Sequence, residues 1–132
     1  MIQKDLVLDF DLYLCERFGY RNCIHATDTQ NGFCACVRER EVKLYIRFWE
    51  YSNGMNGFPD WCIILVDCQF SKRQEEELKE LVRFLKEYAP RYGYKYIGIE
   101  NNHKLNEVLM LPQMRSTKED NYVVALIYTA TR

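Results

Sequence analysis

Long hydrophobic runs are missing from this chain. The longest, Trp61-Cys62-Ile63-Ile64-Leu65-Val66, falls far short of the ~18 apolar residues that mark a membrane-spanning helix, so none is expected. An apolar leader is missing too. Met1-Ile2-Gln3-Lys4-Asp5 meets charge at once, and the expectation is a cytoplasmic protein rather than an exported one. Charge of one sign is not in excess. Lys plus Arg number 18 and Asp plus Glu 19, a formal net charge of −1. A domain built to hold nucleic acid carries a clear basic surplus, so nucleic acid is not an expected partner. Histidine is scarce, with 2 in the chain. No second cysteine pair or Cys–His set accompanies Cys34-Ala35-Cys36 at a ligand spacing, so no metal site is expected. Proline (3) and glycine (6) are too few for a linker, and no repeat or low-complexity tract appears. The 132 residues are therefore read as one domain, 1–132.

What is present suits a packed core. Apolar residues make up 48% and charged residues 28%, which excludes intrinsic disorder. The six cysteines are Cys15, Cys23, Cys34, Cys36, Cys62 and Cys68. Most lie in apolar stretches without a compact framework of spacings, and buried, reduced thiols are expected.

Periodicity gives an order of elements. Residues 5–18 read as a helix stopped by Gly19. A short strand over 22–26 and a polar turn over 28–32 follow. Strands over 33–37 and 42–49 come next, then a loop over 52–60 with two glycines and a proline. Residues 61–68 read as a central strand buried on both faces. The clearest helix comes after it. Ser71 is placed to cap it, and Gln74 three residues on completes a capping box. Leu78, Leu81, Val82 and Leu85 then fall at i, i+3, i+4 and i+7, and Pro90 and Gly93 end the helix. A strand over 94–100, a short helix over 103–111 closed by Pro112, and a strand over 122–129 complete the chain. The class expected is α/β, a mixed central sheet flanked by helices.

This layout resembles the GNAT superfamily of acyl-CoA-dependent N-acyltransferases, best over residues 61–128. In that family the central strand, here carrying Val66, runs into an Arg/Gln-x-x-Gly-x-Gly/Ala loop at the start of the long helix. Backbone N–H groups there bind the cofactor pyrophosphate, and glycine lets the phosphates come close. By the resemblance Arg73 takes the basic position, while Gln74, Glu76 and Leu78 take the glycine positions. Glu75, Glu76 and Glu77 suit a free helix N-terminus but repel a pyrophosphate. The family often carries an Asn-x-x-Ala-x-x-Leu-Tyr pattern whose tyrosine protonates the leaving thiolate. In residues 102–109 the spacing returns with Leu105 for the alanine and Leu109 for the tyrosine. The resemblance thus implies an acyltransferase-like domain without standard acyl-CoA catalysis and without a cofactor, acting as a binding or interaction protein. The alternative is an N-acetyltransferase using acetyl-CoA through an atypical loop, with Arg73, Gln74 and Val66 as its cofactor-binding residues.

Other candidates come from the residues themselves. Cys34 and Cys36 share one face of a strand. Cys68 ends the central strand, where α/β sheets place ligands. With His103 as base and Glu100 orienting it, Cys68 defines a distant alternative, a small cysteine-dependent enzyme. Arg47 stands beside Phe48, Trp49 and Tyr51 as an aromatic–cationic surface. Ten Tyr, seven Phe and two Trp make 14% of the chain. Trp49, Tyr51, Phe58 and Trp61 gather near the glycine-containing loop, and Tyr88, Tyr92, Tyr94 and Tyr96 near the helix end. Such residues are over-used at protein contacts, so a protein partner or self-association through an aromatic surface is expected, and no membrane.

Overall fold

Alternating burial along the strands explains why this chain forms a sheet with one covered face. The computed structural model describes residues 1–100, 102, 104–105, 107, 115–116 and 122–125. Within them the order is α1 (Lys4–Phe18), β1 (Ile24–Asp28), β2 (Gly32–Arg38), β3 (Val42–Trp49), β4 (Cys62–Phe70), α2 (Gln74–Tyr88), β5 (Tyr96–Ile99), β6 (Arg115–Ser116) and β7 (Tyr122–Ala125). The strands form a single mixed sheet in the order β1-β2-β3-β4-β5-β7-β6. Only the β4–β5 step is parallel. The single α/β domain expected from the sequence is present. Among the described residues no helix is long and apolar enough to cross a membrane.

Both helices cover the same face. Leu6, Phe10 and Leu14 of α1 and Leu78, Leu81, Val82, Phe84 and Leu85 of α2 join one core with Phe33, Ala35 and Val37, with Leu44, Ile46 and Phe48, and with Ile63 and Leu65. In α1 the buried residues recur every four positions, so Leu8 and Leu12 are left exposed. Gly19 closes α1 in the left-handed region (φ 82°), its N–H donating to Cys15 O at 2.8 Å. Gly32 opens β2 at φ 155°, where a Cβ would collide with the Phe48 carbonyl.

A β-bulge breaks the β3–β4 ladder. Tyr45 pairs with Asp67 but Ile46 pairs with Leu65, so Val66 is an extra residue. Val66 and Asp67 therefore follow one another on the open side. Leu65, Cys68 and Phe70 all reach the helix-covered core.

The start of α2 departs from the expected cap. Its N-cap is Arg73, held in the left-handed region (φ 55°), and no side chain caps the first turn. The reason is that β4 runs on to Phe70, past the expected end at 68, so that Ser71 is spent on the turn. Its N–H donates to Glu41 O at 3.0 Å. Gln74 bonds backward instead of capping. Its side chain accepts from Phe70 N–H at 2.6 Å and donates to Cys68 O at 2.9 Å.

Other boundaries shift as pairing dictates. The strand expected at 22–26 pairs over Ile24–Asp28, and that expected at 94–100 pairs over Tyr96–Ile99. The two-residue β6 was not foreseen. Of the short helix expected over 103–111, Lys104, Leu105 and Glu107 are helical. His103 and Leu109, like 126–129 of the last expected strand, lie outside the described residues. The cysteines also differ from expectation. All six are free, but Cys15, Cys34 and Cys36 are only half-buried, and Cys23, Cys62 and Cys68 are buried. Cys34 and Cys36 stand on the face opposite α1 and α2.

Candidate functional site

The parallel pair β4–β5 opens into a fork. Pairing runs from Cys62↔Tyr96 to Leu65↔Ile99 and stops there, while β4 continues for five residues beside β3 alone. Glu100 N–H still donates to Leu65 O at 3.1 Å. Asn102 then spans the opening: its Nδ2 donates to Val66 O at 3.2 Å, and its Oδ1 accepts the Leu105 N–H at 3.1 Å. The bulge makes this possible, because the extra residue drops out of the β3 ladder. Beyond Asn102 lies a groove of about 640 Å³ between the free end of β4, the start of α2 and the 102–105 segment. Asp67, Cys68, Gln69, Gln74, Asn102 and Lys104 are among its lining residues.

The residues singled out from sequence occupy different places around this fork. Val66 is the bulge residue, its side chain packed against Trp49, Phe58, Cys62 and Ile64 on the open side. Gln74 lines the groove. Arg73 is turned to Glu76, with Nη2 at 2.6 Å and Nε at 3.1 Å from Oε2. That shared bond lowers the Glu76 carboxyl and raises the Arg73 guanidinium from their ordinary pKa values. Cys68 belongs to the helix-side core and is 2% exposed. Burial pushes its thiol well above the usual range, with the Asp67 charge adding to this. A thiol so placed is neutral and inert. Glu100 lies across the sheet from it, its Oε1 3.4 Å from Arg47 Nη1. The fold does not bring Cys68 and Glu100 together, and His103 is outside the described residues.

The open face holds a second arrangement. Arg47 lies between Tyr45 and Trp49, its guanidinium carbon 5.4 Å and 5.8 Å from their ring centroids. Among the described residues, Arg47 Nε and Glu100 Oε1 are buried without a hydrogen-bond partner. Phe48, expected beside Arg47, points to the other face, and Tyr51 is exposed. The strand period of two would have identified Tyr45 and Trp49 as the flanking rings. No signal in the sequence pairs Arg47 with Glu100, because β4 lies between their strands.

Most of the aromatic content faces inward. Trp49, Phe58 and Tyr94 are core residues, and Trp61 stacks edge-on against Tyr94 at 5.5 Å. Two tyrosines have polar roles: Tyr20 bonds through its hydroxyl to Glu41, and the Tyr92 hydroxyl donates to Asp9 Oδ2 at 2.6 Å, which with burial and the Asp9 charge raises its pKa to about 12. Among the described residues no group of three or more His, Cys, Asp or Glu is placed to hold a metal ion. No protein-family model, curated protein or solved structure matches the chain.

Proposed function

We propose that this chain is an acyltransferase-like domain that does not carry out acyl-CoA chemistry and acts by binding a protein partner or a second copy. The observation that carries this reading is the Gln74 side chain. In an acyl-CoA-binding loop, glycines at this turn leave backbone N–H groups free for the pyrophosphate. Here Gln74 takes the Phe70 N–H at 2.6 Å and donates to the Cys68 carbonyl at 2.9 Å. The turn is closed on itself. Glu75, Glu76 and Glu77 then set negative charge on the first turn, and Arg73, which the resemblance places at the basic position, is held by Glu76. The single parallel step at β4–β5 and the fork beyond it support the likeness in layout.

A second reading, an N-acetyltransferase with an atypical cofactor loop, is favoured by the groove itself, which opens at the carboxyl end of β4 where α/β sheets bind ligands. Calorimetric titration with acetyl-CoA separates the two. The first reading expects neither heat nor a thermal shift at millimolar cofactor. Micromolar binding that Arg73→Ala abolishes would overturn it and establish the second.

A further inference from the structure

The open face of β2 carries a feature that the fork does not use. Cys34 and Cys36 alternate with the buried Phe33, Ala35 and Val37, so both thiols project from the face opposite α1 and α2. Both are half-buried and free. The two side chains are close enough to influence one another: burial and then the neighbouring Cys36 raise the Cys34 thiol above its ordinary pKa. Both line an open cavity of about 790 Å³ whose other walls include Arg38, Lys43, Tyr45 and Asp67. Their neighbours are fixed by register: Thr27 and Arg47 flank Cys34, and His25 and Tyr45 flank Cys36.

The number of ligands decides what this pair can hold. Structural zinc takes four N or S donors. His25 stands across from Cys36 and Asp67 lines the same cavity, yet no group of three ligating side chains converges among the described residues. Two soft sulfur donors, with no third ligand among the described residues, fit a soft cation that accepts two thiolates; of the metals that thiolates favour, zinc and iron–sulfur clusters call for more ligands, which leaves Cu(I).

We propose that Cys34 and Cys36 form a two-coordinate site for a soft monovalent cation of the Cu(I) type. Binding forms two Cu–S bonds and breaks two S–H bonds. The two protons leave to solvent, the complex carries one net negative charge, and copper stays Cu(I), so no oxidant or reductant is consumed.

The test uses the full, reduced chain without oxygen. Cu(I) is supplied as its acetonitrile complex in competition with bicinchoninate, and the product is weighed by native mass spectrometry. One Cu(I) per chain is expected. Cys34→Ser and Cys36→Ser should each lower the affinity by at least about tenfold, a loss that even an outer-shell change can reach. Cys15→Ser, at the other half-buried cysteine, should leave it unchanged. A peptide map after alkylation gives a readout free of any folding defect: Cu(I) should protect Cys34 and Cys36 and leave Cys15 reactive. Absence of bound copper, protection of other cysteines instead, or wild-type affinity in the doubly substituted chain would each overturn the proposal.

Discussion

The two faces of this sheet are built from the same strands and behave as different materials. On β3, Val42, Leu44, Ile46 and Phe48 are at most 4% exposed. Between them Lys43 is exposed, and Tyr45 and Arg47 are half-buried. On β2 the buried Phe33, Ala35 and Val37 alternate with Cys34 and Cys36. Backbone, register and neighbours along the chain are shared, and the difference comes from α1 and α2, which press on one side only. The covered side is hydrocarbon and aromatic ring. The other side holds the thiols, the Arg47–Glu100 pair and the cation–aromatic contacts, beside a smaller buried cluster of Trp49, Phe58, Cys62 and Ile64. From Phe33 to Val37 and from Val42 to Arg47, strand parity thus separates the main core from the polar and thiol side chains.

Substitutions on each face test that division. Leu81 and Leu85 are fully buried under α2, and replacing either with Ala is expected to cost about 2–5 kcal/mol in denaturant unfolding. On the open face, Glu100→Gln removes one partner of an ion pair whose side chains are 27% and 23% exposed. It leaves the half-buried Arg47 guanidinium without its counter-charge and is expected to cost about 1–3 kcal/mol, less than the core truncations. Equal losses at the two faces would dissolve the distinction. The smallest effect concerns pH. Tyr92 is raised from 10.0 to about 12 by its bond to Asp9. Its folded pKa lies above the unfolded one, so its contribution is fully present below pH 10.0 and is lost as pH rises toward about 12. Tyr92→Phe should flatten the fall of melting temperature across that window. An unchanged alkaline slope would mean that the Tyr92–Asp9 bond does not link α1 to the turn after α2 in solution.

The element order was legible because the strong signals are local. The 3.6-residue stripe of α2 and the β-branched run of β4 survive any tertiary context. The start of α2 was not legible. Ser71 and Gln74 have the spacing of a capping box, but a strand two residues longer than expected claims the serine for the turn, and Gln74 bonds to that strand. The bulge was hidden for a different reason: residues 62–66 are apolar without interruption, so there is no alternation from which a change of side could be read. The candidate site was legible only in pieces. Val66, Cys68 and Gln74 do lie at the fork, whereas Glu100 faces away from Cys68 because strand parity, invisible in that apolar run, sets them on opposite sides. The thiol pair was read as buried because its flanking residues are apolar. It is half-exposed because α1 and α2 both pack on the opposite face.

The bulge at Val66 is neutral to the sheet's own bookkeeping. Were the chain one residue shorter at this point, Asp67 would still oppose Tyr45 and Leu65 would still oppose Ile46. Cys68 and Phe70 would still meet the helices. Every pair and both faces would survive the deletion, so the strand ladder has no use for the extra residue. What would vanish is the Val66 side chain packed on the open-side cluster and one carbonyl freed from the ladder and turned to the amide of Asn102. The insertion serves the opening between β4 and β5 rather than the sheet that contains it.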